Sequence, residues 1–391
     1  MSVTAEQIPG GPRYSGNTLT ATMMLAVGVI GLIIGLIAAW PKFIHGGAAL
    51  SQGSDMMWGL PVVTYAFLAL SSFGVSMVAG VGSVFRIEGW DRIAPRLFTL
   101  ALGLSIGALA ALALELGHAF RTLWAIPLNM QVRSPMLWMG AFWGAYVVFL
   151  GWLLFRLREV DIRDNTVRLL SIAIVLTCVG ALFTQGLVYG MMIMRPVWYG
   201  AATPLYYWVG SVVTGLAMAL LFLNITHRFS HDGLSEAKQR VMQQHLPVIF
   251  LVALIGYAIV VASRTTAGLW SSAEGVQIVY QYMVGSPLFW FEVLVCLALP
   301  LALMSMAKLR GNPLVQAAAG ALAIIGIFIA RYEFIIGGQL VPLWKGSWVP
   351  ALVEYSPNSV EWGMFLIGVF LSITVYAAGD RFFNTGPHAG D

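Results

Sequence analysis

The chain has 391 residues, of which 59% are hydrophobic and only 10% are charged, and its mean hydropathy is +0.82. Soluble domains carry roughly a quarter of charged residues, so the composition excludes an ordinary soluble enzyme and predicts an integral protein of the lipid bilayer. The formal net charge is +4. The basic residues lie in short loops between apolar runs rather than in one patch, so they indicate membrane topology, and nucleic acid is not an expected partner.

Ten apolar runs are each long enough to cross the hydrocarbon core, which takes about 20 helical residues. Lipid offers no hydrogen-bond partners to an open backbone, so the runs predict an all-α integral membrane protein with ten transmembrane helices. Residues 1–19 lack a basic segment and a cleavage site, so we expect the first run to stay in the protein as a membrane helix. The predicted helices cover residues 20–39, 58–85, 97–119, 135–155, 168–190, 203–225, 246–268, 286–306, 313–332 and 358–378.

Lysine and arginine are distributed unevenly over the two sides that ten spans define. Of the 21 such residues, 14 lie in the termini and in the loops on the same side as the termini, and 7 lie on the other side. Cytoplasmic loops carry the excess of positive charge, so we expect both termini in the cytoplasm.

A short element occurs twice, as Arg133-Ser-Pro-Met-Leu-Trp138 and Gly285-Ser-Pro-Leu-Phe-Trp290. Ser-Pro suits a helix N-terminus, because serine can cap the free N–H groups and proline has none to leave unpaired. An even number of helices separates the two copies, so they have the same orientation and predict parallel repeats. The repeats divide the chain into four parts. Residues 1–57 hold the first flanking helix, residues 58–202 form a first four-helix bundle, residues 203–345 form a second, and residues 346–391 hold the tenth helix.

Glu115 and His118 close the third apolar run, and three residues of spacing would place them on one helical face. A carboxylate beside an imidazole can accept and pass protons, which quinol oxidation or quinone reduction requires. These two residues are therefore the candidate catalytic pair. An interfacial hydrogen-bonded pair without a redox role is the alternative.

A second group of ionisable residues falls in the later helices. Glu292 is the deepest acid of the chain, and Arg264, Arg331 and Glu333 lie at or near helix ends. Charged side chains at membrane depth are costly and are normally paired or functional. The group is either a proton relay through the second bundle or a set of interhelical ion pairs.

Neither haem nor an iron-sulfur cluster is expected in this chain. The histidines do not form facing pairs on neighbouring helices, and Cys178 and Cys296 form no CxxC pair. There is also no HExxH motif, so no metal site is predicted.

Several motifs together resemble the NrfD/PsrC family of polysulfide-reductase-type membrane subunits. These are Trp58-Gly-Leu-Pro-Val-Val-Thr-Tyr-Ala-Phe, Leu114-Glu-Leu-Gly-His118 and the first Ser-Pro element. Phe289-Trp-Phe-Glu292 and Arg331-Tyr-Glu-Phe-Ile-Ile-Gly-Gly-Gln339 resemble the longer, ten-helix branch with HybB- and DsrP-type subunits.

The resemblance implies a subunit of the bacterial cytoplasmic (inner) membrane that exchanges electrons with menaquinone or ubiquinone. It implies an extracytoplasmic ferredoxin-like partner that carries the iron-sulfur clusters, sometimes with a molybdopterin, hydrogenase or cytochrome c subunit. Many relatives have Gly-Arg-Pro where this chain has Gly-His118-Ala, so His118 could instead replace a structural arginine. A proton-translocating or solute-transporting module without quinone chemistry of its own is the alternative function. The quinone-site residues carried over by motif are Trp58, Tyr65, Glu115, His118, Ser134 and Trp138.

Overall fold

A computed structural model describes residues 18–231, 234–342 and 352–382. Over these residues all regular secondary structure is helical, and ten helices are long and apolar enough to cross a membrane, which confirms the predicted all-α fold. The predicted boundary at 345–346 and both terminal segments lie outside the described residues. The ten helices are α1 (Thr18–His45), α2 (Leu60–Phe85), α3 (Trp90–Glu115), α4 (Pro135–Arg156), α5 (Asn165–Gly190), α6 (Thr203–Thr226), α7 (Glu236–Leu269), α8 (Pro287–Ser305), α9 (Pro313–Gly337) and α10 (Ser359–Phe382).

The helices start where the sequence places proline or a capping side chain. Pro61, Pro135 and Pro204 stand in the first turns of α2, α4 and α6, where a missing N–H costs nothing. Before α10, the Asn358 side chain accepts a hydrogen bond from Glu361 N, and the Glu361 carboxylate accepts one from Asn358 N, both at 3.0 Å. This reciprocal pair is a capping box that fixes the entry of the last helix.

The helices pack as two similar bundles. α2 to α5 form a ring in which each helix contacts the next and α5 closes on α2, and α6 to α9 form a ring of the same order. The remaining two helices, α1 and α10, pair with each other, and α10 lies against α3. This is the predicted arrangement of two four-helix bundles and two flanking helices.

The two bundles meet most closely at a pair of glycines. A Cβ on Gly74 of α2 would lie 1.9 Å from the Ser211 carbonyl oxygen of α6, and a Cβ on Gly215 would lie 2.3 Å from the Gly74 carbonyl carbon. Small residues allow such backbone contact between membrane helices. The Ser211 hydroxyl also donates to the Leu70 carbonyl at 2.7 Å. This close approach lies near the middle of both helices.

Both copies of the repeated Ser-Pro element form the same tryptophan hydrogen bond. Trp138 Nε1 donates to the Val132 carbonyl and Trp290 Nε1 donates to the Val284 carbonyl, each at 2.8 Å. In each copy the indole therefore forms a hydrogen bond to the backbone just before its helix.

Two elements that carry candidate site residues differ from the sequence prediction. α3 ends at Glu115 rather than 119, because Leu116 has extended backbone angles (φ −64°, ψ 131°), and His118 lies in the turn that follows. The expectation that Glu115 and His118 share a helical face is therefore wrong. In α8, Phe291–Ala298 form a π-helix, with Glu292 in its first turn. Such π segments are frequent at functional sites.

Candidate functional site

Glu115 has one carboxylate oxygen fixed and one left over. Its Oε1 accepts a hydrogen bond from Gln52 Nε2 at 2.9 Å, from the loop between α1 and α2. Its Oε2 is buried and has no hydrogen-bond partner among the described residues. A buried oxygen without a partner carries a desolvation cost of about 1–3 kcal/mol, so this atom is ready to accept a donor from a ligand.

The surroundings of Glu115 include both a cation and a second acid. Lys42 of α1 and Glu361 of α10 lie within electrostatic range of its carboxylate. The Lys42 side chain is buried, although it comes from the last turn of α1. Tyr65 of α2 is buried as well and lies within electrostatic range of the same carboxylate.

Gly59 leaves room for three polar side chains to converge beside Glu115. A Cβ at this position would lie 2.5 Å from the Tyr355 hydroxyl, 2.6 Å from Glu361 Oε1 and 3.1 Å from Gln52 Nε2. The Tyr355 hydroxyl accepts a hydrogen bond from Leu60 N at 2.7 Å, and burial raises the pKa of Tyr355 above its ordinary value. The sequence does not predict this convergence, since Asn358-x-x-Glu361 indicates only a helix cap.

A cleft of about 520 Å³ opens beside the end of α3. Its wall includes Lys42, Leu114, His118 and Trp124. This volume is within the range of small-molecule pockets. His118 is exposed on the wall, whereas Glu115 is turned inward toward Gln52. Lys42 lines the same cleft as His118 and lies within electrostatic range of Glu115. The structure thus places the two residues of the predicted catalytic pair on different sides of the end of α3.

Trp58 lies at the junction of the two bundles. Its ring stacks on Trp198 with centroids 5.2 Å apart and meets Tyr189 edge-on at 5.5 Å. The Trp198 indole donates to the Phe334 carbonyl of α9 at 2.7 Å. The predicted residue Tyr65 interacts with Tyr189 in the same cluster.

Ser134 and Trp138 are held apart from this group. Trp138 is 44% exposed, and its indole N–H is used by Val132. Ser134 precedes α4 as its N-cap without a side-chain capping bond. No hydrogen bond or ring contact within the described ranges joins either residue to Glu115 or Trp58. Of the six predicted residues, the structure brings together Trp58, Tyr65 and Glu115, with His118 on the adjacent cleft.

In the second bundle, Arg331 is fully buried between two tyrosine rings. Its guanidinium carbon lies 4.0 Å from the Tyr206 ring centroid and 4.4 Å from that of Tyr207. Its Nη2 donates to the Tyr206 carbonyl at 3.1 Å. Such cation–π contacts stabilise a charge that is shielded from water.

Arg264 is held in the same way. Its Nε donates to the Tyr280 hydroxyl at 2.7 Å, and its guanidinium carbon lies 4.7 Å from the Tyr206 ring centroid. Within the part of the chain that the structure describes, neither arginine forms an ion pair within 4.0 Å with Glu292 or Glu333. Aromatic rings therefore cover the two cations, while the Glu292 carboxyl group lies within electrostatic range of both arginines without a close ion pair.

Glu292 and Glu333 are both buried, and their carboxyl groups face each other closely enough to interact directly. Two carboxyl groups in contact can exchange a proton. Over the described ranges, no three His, Cys, Asp or Glu side chains converge as a metal site would require.

The fold and these two polar clusters define a multi-pass α-helical membrane protein with ionisable groups built into both bundles. The chain belongs to the NrfD family: the family model for polysulphide reductase, NrfD, matches residues 49–342, which span both bundles.

Three relatives are similar to this chain at low identity, two of them over most of its length. A selenate reductase subunit of Mesobacillus selenatarsenatis is 23% identical, over 88% of this chain and 90% of its own. The Hdr-like menaquinol oxidoreductase integral membrane subunit of Archaeoglobus fulgidus is 23% identical, over 83% and 84%. The menaquinone reductase integral membrane subunit of Nitratidesulfovibrio vulgaris is 27% identical over a shorter stretch, 28% of this chain and 26% of its own.

Proposed function

We propose that this protein is the quinone-interacting membrane subunit of a respiratory oxidoreductase complex, with its quinone site at the Glu115 end of the first bundle. The observation that carries the proposal is the Glu115 carboxylate, which has one oxygen held by Gln52 and a second, buried oxygen without a partner among the described residues. One relative is named as a menaquinol oxidoreductase membrane subunit and another as a menaquinone reductase membrane subunit, which favours a quinone as the substrate.

Oxidation of a quinol releases two protons and two electrons, and reduction of a quinone takes them up. Glu115 Oε2 is the acceptor or donor of one proton, since Gln52 fixes the carboxylate so that this oxygen stays available. Lys42 lines the cleft and lies within electrostatic range of the Glu115 carboxylate, so its charge is close to both Glu115 and a ligand in the cleft. His118 on the cleft wall is placed to hydrogen-bond a ligand oxygen and to handle the second proton.

The electrons pass to or from a partner subunit at the same end of the bundle, an extracytoplasmic ferredoxin-like iron-sulfur protein. Exposed aromatic side chains at this end, such as Phe120, Trp124 and Trp270, offer it a surface. The distribution of basic residues supports this orientation, with both termini in the cytoplasm and the chain in the bacterial inner membrane.

The experiment is a comparison of Glu115→Gln with Glu88→Gln in the isolated complex. Glu88 is exposed in the loop between α2 and α3, at the other end of α3 from Glu115. Its amide variant therefore controls for the loss of a carboxylate. We expect Glu115→Gln to lower the rate of quinol oxidation by about 100-fold, the usual effect of losing a general base, with an unchanged melting temperature. Equal rates in the two variants would exclude Glu115 as the proton-handling group.

A second candidate function, proton translocation by the second bundle, is favoured by the contact between Glu292 and Glu333. Glu292→Gln should leave quinol oxidation largely intact while it lowers the number of protons moved per electron. If both quantities stay at the wild-type level, Glu292 has no part in translocation.

A further inference from the structure

Buried tyrosines connect the two polar clusters across the junction of the bundles. We call them the tyrosine seam, and they come from α2, α5, α6 and α7. Each side chain is at most 7% exposed. The seam consists of Tyr65, Tyr189, Tyr207, Tyr206 and Tyr257.

The first half of the seam leads away from Glu115. Tyr65 lies within electrostatic range of Glu115 and interacts with Tyr189, whose ring stacks on Tyr207 with centroids 5.5 Å apart. The hydroxyls of Tyr189 and Tyr207 lie near each other, but neither forms a hydrogen bond of standard geometry with a described residue.

Arg331 stands in the middle of the seam, over the rings of Tyr206 and Tyr207. Its Nε and Nη1 atoms are buried without a partner in the described ranges. Gly210 makes room for it, since a Cβ there would lie 2.2 Å from Arg331 Nη2.

The second half of the seam leads to the carboxyl pair. The Tyr206 and Tyr257 rings stack with centroids 6.4 Å apart, and Tyr257 lies within electrostatic range of Glu292. The Tyr257 hydroxyl has no hydrogen-bond partner among the described residues. A cavity of about 10 Å³ lies against Tyr257 and Glu292. This is about the space that one water molecule needs.

These unsatisfied groups are unusual, because nearly all buried polar atoms in proteins have a hydrogen-bond partner. Tyr146, an equally buried tyrosine of α4, shows the ordinary case: its hydroxyl is hydrogen-bonded to those of Ser72 and Ser76, each at 2.8 Å. Buried polar groups that lack protein partners are usually bridged by internal water. The tyrosine seam is therefore a place where water and hydroxyl groups can alternate.

We propose that the tyrosine seam conducts protons between Glu115 and the Glu292–Glu333 pair, with internal waters joining its hydroxyl groups. At each step a hydroxyl oxygen accepts a proton from one side and gives its own to the other. A proton thus leaves the Glu115 carboxyl group, which becomes a carboxylate, and the Glu292–Glu333 pair gains one. The proposal rests on the proposed function only for the source of the protons.

The seam also leads inward from the membrane surface. At 1.5 Å per residue, Glu292 lies about 7 Å inside the start of α8, and Tyr257 about 18 Å inside the end of α7. Tyr257 and Glu292 line the same cavity, so the seam ends inside the second bundle rather than at the ends of its helices.

The activity test uses the complex reconstituted in vesicles with an internal pH dye, so that protons moved and quinol oxidised are measured together. Tyr207→Phe and Tyr257→Phe remove single hydroxyls of the seam and keep the rings, and Tyr146→Phe is the matched buried control. We expect each seam variant to lower the protons moved per electron by about tenfold, with at least about half the quinol oxidation rate. An unchanged ratio in both seam variants, or an equal fall in Tyr146→Phe, would overturn the proposal.

A second measurement does not depend on activity. High-resolution electron microscopy of the complex should show ordered water between the hydroxyls of Tyr189, Tyr207 and Tyr257 and the Arg331 guanidinium. A dry seam would overturn the proposal whatever the substrate. If Glu115→Gln leaves quinol oxidation unchanged while the seam variants still lower the ratio, the quinone site is misplaced and the seam stands.

Discussion

Gln339 holds both backbone groups of Trp58 with its side-chain amide. Its Oε1 accepts a hydrogen bond from Trp58 N at 2.9 Å, and its Nε2 donates to the Trp58 carbonyl at 2.8 Å. Gln339 follows the end of α9, and Trp58 precedes α2, so this one side chain ties the second bundle to the start of the first. The backbone of Trp58 is thereby fixed where its ring stacks on Trp198.

Replacement of Gln339 by alanine should destabilise the protein measurably. It removes the two hydrogen bonds to Trp58 and a third from Gln339 Nε2 to the Ile335 carbonyl, and it leaves the Trp58 N–H and carbonyl without these partners, a loss of about 2–4 kcal/mol. Thermal unfolding in detergent, followed by tryptophan fluorescence, measures the change. Gln277→Ala is the control, because Gln277 is exposed and its loss should shift the melting temperature little. Similar shifts in the two variants would mean that the Trp58 contact contributes nothing.

Gly338 next to it should not tolerate a methyl group. A Cβ at Gly338 would lie 1.8 Å from Trp198 Nε1, so Gly338→Ala must displace the indole from the Phe334 carbonyl and from the Trp58 ring. Overpacking of this kind costs about 1–3 kcal/mol. A lower melting temperature and a shift in tryptophan emission are expected.

Gly285→Ala supplies the comparison for this variant, because a Cβ at Gly285 has open space around it. If the two alanine variants unfold at the same temperature, Trp198 moves without cost and the stacked pair has no structural importance.

The ten helices were predictable because their signals are local. Apolar length, proline in a first turn and an excess of positive charge can all be read within about 20 residues. The end of α3 was not predictable in this way. The apolar pattern continues past Glu115 and predicts a longer helix. The helix nevertheless ends there, because the backbone at Leu116 is extended.

The site was predictable only where a single residue was conspicuous. Glu115 stood out as an acid in an apolar run, but Gln52 and Glu361 come from loops and helices far away in sequence. Arg331 was expected to need a partner, and the sequence suggested an acid. The tyrosines of α6 cover it instead, a choice that depends on how α6 and α9 pack.

The tryptophans of the repeated element should be equivalent if both are structural. Trp138→Phe and Trp290→Phe each remove one indole hydrogen bond, to Val132 and Val284, and each should cost about 1 kcal/mol. The KM for quinol should stay the same in both variants. A rise in KM for Trp138→Phe alone would instead place Trp138 in the quinone site, as the family resemblance suggested.

His227 should make the stability of the protein depend on pH. It follows α6, and burial, together with the charges of Lys238 and Arg96, lowers the pKa of His227 to about 2. Between this value and the ordinary pKa of about 6.5, the unfolded chain binds a proton that the folded chain does not. Stability therefore rises with pH across that window, and acidification below pH 6.5 should lower it by at most about 1.4 kcal/mol per pH unit.

His227→Gln should remove this part of the pH dependence of the melting temperature, whereas His245→Gln, a change at an exposed histidine, should keep it. Parallel pH profiles for the wild type and His227→Gln would show that folding does not lower the pKa of His227.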